Sequence, residues 1–205
     1  MKKPLILFVV TCAVISANAQ NNDFTSPDLD FFNIHGPVKE LIISYTGLDD
    51  ENRYGGPIDA WSEPGLYKFD TRGKWTNPNV YKVERNNKGQ IVKLIFSEEG
   101  LEDWHYCREF EWKGNQLFSF SQYALDGEFH YLDNVISSIE LFHGYTIDII
   151  EDNIKFSGFV YDDKGNWISC KWNQKISHLI DEDTLDPDEP PTYKSGTMIR
   201  EITYY

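Results

Sequence analysis

The sequence predicts an all-β protein, a meandering antiparallel sheet of repeated hairpins with room for one short helix. Three observations predict it. A turn phrase recurs, as FDTRGKW at 69–75 and YDDKGNW at 161–167, with RNNKGQI at 85–91 as a third copy in which Arg85 stands for the leading aromatic. The segments between turns alternate apolar and polar residues at the period of a pleated strand. The composition, with 12 Tyr, 13 Phe and 6 Trp against 2 Met, suits a sheet better than a helix bundle.

Taken from the start, MKKPLILFVVTCAVISANAQ reads as an export leader. Lys2 and Lys3 supply the charged start, Pro4 to Ile15 the apolar run, and Ala17-Asn18-Ala19 a small-residue cleavage site. Residues 1–19 are therefore expected to leave, with Gln20 as the mature start. The apolar run falls short of the roughly 20 residues that span a bilayer. A retained anchor and a lipid on Cys12 are the competing readings, the second weakened by the Val10-Thr11 lead-in. Residues 20–34, opening QNNDFTSPD, are expected to be disordered. Residues 35–205 are long enough for a single β-sheet domain with its own core.

Within that domain VKELIISY groups Leu41, Ile43 and Tyr45 on one strand face, and QIVKLIF groups Val92, Leu94 and Phe96. DWHYCREFEW sets Trp104, Tyr106, Phe110 and Trp112 opposite His105, Cys107 and Glu109. QLFSFSQY groups Phe118 with Phe120, and YTIDIIED groups Tyr145, Ile147 and Ile149. LDNVISSIELFH at 132–143 fits both periods and is assigned to strand. NWISCKW places Cys170 with Ile168 and Trp172, and TMIREITYY closes the chain as a last strand. The stretches 46–65 and 181–191, rich in Gly, Pro and acids, read as loops. Cys107 and Cys170 fall on a polar and an apolar face respectively, which argues against a disulfide between them.

The turn copies have a physical reason. Asp or Asn opens the turn by accepting hydrogen bonds from its own backbone, and Gly supplies the positive φ that leaves it. The large residues on either side then meet across the strands. EWKGNQL at 111–117 and ALDGEF at 124–129 are looser relatives.

FVYDDKGNW together with REITYY resembles exported β-hairpin-repeat proteins of Bacteroides-type bacteria, and is similar to the YD-type repeats of RHS proteins and to MORN-like hairpin arrays. The resemblance rests on the turn copies between 66 and 172. It implies a meandering antiparallel sheet and an interaction role, and it brings no catalytic motif.

The formal charge of −14 becomes −16 once the leader's two lysines go, which repels nucleic acid and anionic lipid. His35, His105, His130, His143 and His178 form no metal-binding motif. His105 and Cys107, and Glu109 and Glu111, share strand faces, but solvated polar residues explain both pairs. The acidic run from Asp181 to Glu189 lacks the spacing of a calcium loop and reads as solvated. No metal or cofactor is expected.

The aromatic flank of the turns remains: Phe69, Trp75, Tyr161 and Trp167 are the candidate binding residues, with burial in the core as the competing explanation. The expectation is an exported, periplasmic or extracellular, non-catalytic module that binds a protein or glycan partner. A carbohydrate-binding module using Trp and Tyr, and a carboxylate-dependent hydrolase, are the alternatives.

Overall fold

A computed structural model describes residues 24–47, 64–78, 80–97, 105–122, 125–144, 149–181, 184–185 and 190–205. One short helix, α1 (Pro27–Phe31), precedes β1 (Val38–Thr46) and β2 (Gly65–Lys68). The chain continues through β3 (Lys82–Arg85), β4 (Ile91–Ser97), β5 (His105–Lys113), β6 (Gln116–Gln122) and β7 (Leu125–Leu132). It ends with β8 (Val135–Gly144), β9 (Ile149–Tyr161), β10 (Trp167–Asp181), β11 (Thr184–Leu185) and β12 (Thr192–Tyr204).

All the strands join one antiparallel sheet, as the sequence predicts. Its order is β2-β1-β12-β10-β9-β8-β7-β6-β5-β4-β3, with β11 paired beside β10. From β3 to β10 each strand pairs with the next, so the middle of the chain is a pure meander. The C-terminal β12 slots between β10 and β1, which leaves β2 and β3 as the two edges.

The three turn copies share one hydrogen-bond pattern. In each, the Gly N–H donates to the carbonyl of the opening residue: Gly73 to Asp70 at 2.8 Å, Gly89 to Asn86 at 3.0 Å, Gly165 to Asp162 at 3.2 Å. The opening side chain Oδ1 then accepts from the backbone two and four residues on, as Asp162 does from Lys164 and Asn166, both at 2.9 Å. Gly73, Gly89 and Gly165 all have positive φ, at 73°, 80° and 84°. Gly114 turns the chain in the same way at φ 65°. ALDGEF is different, because Asp126 and Gly127 lie inside β7. A Cβ on Gly127 would stand 2.2 Å from Phe120, so this glycine makes room for an aromatic ring across the sheet.

Just past these turns the register slips by one residue. Glu84 faces Lys93 but Arg85 faces Ile91, Glu111 faces Ser119 but Trp112 faces Leu117, and Trp167 faces Tyr161 while Ser169 faces Val160. Val92, Phe118 and Ile168 are the extra residues of these bulges. The expected pairing of Val92 with Leu94, Phe118 with Phe120 and Ile168 with Cys170 is corrected accordingly: Ile91, Leu117 and Trp167 take the core positions. The segment 132–143 is strand, as assigned. Cys170 is buried, Cys107 is half-buried beside Glu109, and both are free thiols. They sit on β10 and β5, five strands apart in the sheet.

The expected disorder of 20–34 is corrected over its described part, 24–34. Ser26 caps α1 by accepting from the Leu29 N–H at 3.2 Å, and Pro27 occupies its first turn. Leu29, Phe31, Phe32 and Ile34 are all buried. Burial of four large apolar side chains outweighs the entropy that disorder would keep. The expected loops at 46–65 and 181–191 lie mostly outside the described residues, but Thr46, Gly65, Asp181 and Thr184–Leu185 are strand, because they extend β1, β2 and β10 or pair beside β10; Tyr145 and Ile147 lie outside the described residues.

Laid flat, eleven strands about 4.8 Å apart would span roughly 48 Å. A five-residue helix is only about 7.5 Å long. Yet Phe32 packs on Tyr67 of edge strand β2 with ring centroids 4.6 Å apart, while Asp28 pairs with Arg85 of the other edge. The sheet therefore curls around the N-terminal segment, as large twisted sheets do.

Gly73 and Gly165 offer a test of this packing. Both have positive φ, but a Cβ on Gly73 would meet Ser26 Oγ at 2.7 Å and Leu29 Cδ1 at 2.9 Å, whereas one on Gly165 meets nothing within 4 Å. Urea unfolding should show Gly165→Ala costing about 1–2 kcal/mol from backbone strain alone. Gly73→Ala should cost clearly more, because it also displaces α1; equal losses would contradict the docking.

Candidate functional site

The turn-flank aromatics are positioned by α1 and the residues after it. Phe69, Trp75 and Trp167 are only 3%, 7% and 4% exposed, while Tyr161 is 49% exposed. Phe32 stands edge-on to Phe69 and Trp75, at 5.6 and 5.5 Å between ring centroids. Trp167 packs edge-on to Phe159 at 5.8 Å, and its Nε1 donates to Asn33 Oδ1 at 3.2 Å. The candidate binding set is corrected here: Phe69, Trp75 and Trp167 are core, and Tyr161 alone shows a ring to solvent. Their faces pack against the N-terminal segment and neighbouring strands, so no ligand ring reaches them.

That segment is held at both ends by arginines. At the N-terminal end Asp28 is 2% exposed and accepts from the Trp75 N–H at 2.7 Å. It also receives both terminal nitrogens of Arg85, Nη2 at 2.9 Å, and Arg85 Nη1 donates to Gly89 O as well. The one turn copy that lacks a leading aromatic thus supplies the cation that this buried carboxylate needs. At the other end Arg200 donates to the Phe32 and Asn33 carbonyls, at 2.8 and 3.4 Å, and lies 3.3 Å over the Trp167 ring. Full burial pulls the Arg200 guanidinium down to about 9, and the buried Cys170 thiol beside it is pushed up to about 12.

The third turn copy and the β7–β8 turn reach the same segment, and two further turns bind each other. Asn166 Oδ1 accepts from the His35 N–H at 2.7 Å, and its Nδ2 donates to His35 O at 2.8 Å and to Tyr204 Oη at 2.7 Å. Asn33 Nδ2 donates to Asn134 O in the β7–β8 turn at 3.0 Å, and Gln90 Nε2 donates to Gly114 O at 2.6 Å. Burial lowers the His35 imidazole below its ordinary value, so it stays neutral. Ser26-Pro-Asp with the apolar run behind it is a helix-start signal, and it could have exposed this segment.

Two clefts lie on the outer face of the sheet. The first, about 470 Å³, crosses β3 to β6 and is lined by Glu84, Glu109, Glu111, Lys93 and serines. Lys93 Nζ donates to Glu109 at 2.5 Å, and Ser119 Oγ donates to Glu111 at 3.2 Å. Lys82, bound to Glu84 at 2.6 Å, holds that carboxyl below its usual range. A hydrolytic acid needs the opposite, a carboxyl raised toward neutrality. Cys107 shares this outer face, while the side chains of His105, His143 and His178 lie outside the described residues. His130 Nε2 is 3.5 Å from Glu140 on the outer face of β7 and β8. Among the described residues no three His, Cys, Asp or Glu side chains gather as a metal site.

The second cleft, about 510 Å³, crosses β9, β10 and β12 and is lined by Asn153, Lys155, Asn173, Lys175, Tyr193 and Ser195 among others. Register puts these in rows: Lys155, Asn173 and Ser195 are direct neighbours across three strands, as are Asn153, Lys175 and Tyr193. Tyr193 is 72% exposed. Asn153 Oδ1 has no hydrogen-bond partner among the described residues. The hairpin pattern signalled none of this, because the rows lie along β9 and β10 away from the turn that joins them, and one of their three strands, β12, comes from the C-terminus.

No family model and no curated protein sequence matches this chain.

Trp75→Ala and Trp167→Ala should each destabilise the protein by about 3–5 kcal/mol in urea unfolding, as buried aromatics do. Tyr193→Ala should stay within about 0.5 kcal/mol of wild type. A Trp75 or Trp167 variant that unfolds like wild type would place those rings outside the core.

Proposed function

We propose that the protein is exported and works by binding rather than by chemistry, holding a glycan or protein partner on the outer face of its curled sheet. One observation carries this reading: the cleft over β9, β10 and β12 sets polar side chains in rigid cross-strand rows around one exposed tyrosine. A surface of fixed hydrogen-bonding groups beside an aromatic ring is what recognition needs, since preorganised groups lose little entropy on binding. The buried turn aromatics support the reading indirectly, because they make the scaffold stiff.

The carbohydrate alternative gains the most from this arrangement. Tyr193 replaces Trp75 and Trp167 as the ring available for stacking, and the Asn and Ser side chains beside it suit hydroxyl groups. The hydrolase alternative loses support where Glu84 and Glu109 are tied to lysines. Export rests on the Lys2-Lys3 start, the apolar run and Ala17-Asn18-Ala19. No helix among the described residues is long and apolar enough to cross a membrane.

The test is a glycan array with the purified mature chain, run beside assays for release of sugar, peptide or ester products. The expected outcome is saturable binding without product, abolished by Tyr193→Ala and Asn173→Ala at unchanged melting temperature. Time-dependent product release, or binding indifferent to both substitutions, contradicts the proposal.

A further inference from the structure

The geometry points to an acidic polysaccharide, a polymer of uronic acid residues, as the ligand of the β9–β10–β12 cleft; this rests on the binding reading above and names its substrate class. The chain carries 33 acidic against 19 basic residues, yet this face collects lysines. Lys155, Lys171 and Lys175 are all exposed on it. Asn173 pairs with Lys155 across the strands, and Lys171 and Lys175 lie two residues either side of Asn173 on the same face. Both are thus diagonal neighbours of Lys155, with Cα atoms about 7–8 Å apart. None of the three has an ion pair among the described residues. Their direct cross-strand neighbours on this face are Ser138, Ser157, Asn153, Asn173, Thr197 and Tyr193, none of them acidic. Two carboxylates lie one step further in the register: Glu140, two residues from Ser138, which accepts from Asn153 Nδ2 at 3.4 Å, and Glu151, two residues from Asn153.

Three lysines drawn together without an ion pair among the described residues repel one another, and a bound anion relieves that repulsion. A single small anion would leave much of the cleft unused, since its volume is about 510 Å³. The lysines, moreover, are spread over two strands, a spacing that suits charges repeated along a polymer. Tyr193, directly opposite Lys175, offers a flat ring for the apolar face of a pyranose. Asn173 and Ser195, exposed in the same cleft, are placed to hydrogen-bond sugar hydroxyls. Carboxylate, hydroxyl and ring face occur together in a uronic acid unit. A polyglutamate chain or an anionic bilayer supplies the carboxylates or phosphates alone.

The experiment measures affinity of the mature chain for polygalacturonate, for its methyl-esterified form, and for polyglutamate. Polygalacturonate should bind most tightly, and its affinity should fall as salt rises. The triple variant Lys155→Gln/Lys171→Gln/Lys175→Gln should bind about tenfold more weakly, given the modest worth of each exposed charge pair. Tyr193→Ala should also weaken binding, with melting temperatures unchanged in both variants. Equal affinity for the esterified polymer overturns the role of charge. Equal affinity for polyglutamate overturns the sugar. A neutral glycan bound through Tyr193 with no response to polygalacturonate sinks the acidic ligand and leaves the binding proposal standing, whereas product release from any polymer sinks both.

Discussion

The buried carboxylate of Asp28 is the constraint on which the rest of the structure depends. An ionised carboxylate taken out of water costs several kcal/mol unless it is paired and hydrogen-bonded. Asp28 meets that demand with a backbone N–H from Trp75 and a two-nitrogen contact from Arg85. Trp75 follows one edge strand of the sheet and Arg85 ends the other. Satisfying Asp28 with these two partners therefore brings the two edges toward one point and holds the sheet in its curl. Arg200 fixes the opposite end of the same short segment from β12, the third strand from the β2 edge, so α1 is held at both ends.

The repeated turn takes its meaning from this arrangement. Each copy delivers a residue to the N-terminal segment: Trp75 from the first, Arg85 from the second, Asn166 and Trp167 from the third. The copies are alike in backbone because the same Asx-and-glycine geometry makes each turn. They differ at the flanking position because each meets a different part of the segment, and Arg85 replaces an aromatic where a carboxylate must be neutralised. Aromatic residues that suggested a recognition surface are thereby drawn inside, and the outer face over β9, β10 and β12 is left to lysine, asparagine, serine and tyrosine.

How much of this was legible follows from the range of each interaction. Turns are local, so FDTRGKW, RNNKGQI and YDDKGNW disclosed the hairpins and the antiparallel meander. Strand faces were legible until a bulge intervened. One extra residue reverses the face of everything on its near side, which is why Val92, Phe118 and Ile168 were grouped with the core and Ile91, Leu117 and Trp167 were not. The contacts of residues 24–36 were not legible at all. Asp28 and Arg85 are 57 residues apart, and Phe32 and Arg200 are 168. A five-residue helix is too short to show periodicity, and its one local signal, the Ser26-Pro27-Asp28 start, sits in a stretch whose composition reads as disordered. The candidate cleft was hidden for a related reason: its rows exist only once β9, β10 and β12 are in register.

The most direct measurement of the central claim is a double-mutant cycle between Asp28→Asn and Arg85→Met, read by urea unfolding of residues 20–205. If this pair draws the sheet edges together, the two substitutions will be strongly coupled, by on the order of 2–3 kcal/mol, with the double variant far less damaged than the sum of the singles. Losses that simply add, to within about 0.5 kcal/mol, would mean that Asp28 and Arg85 act independently and that the curl of the sheet has another origin.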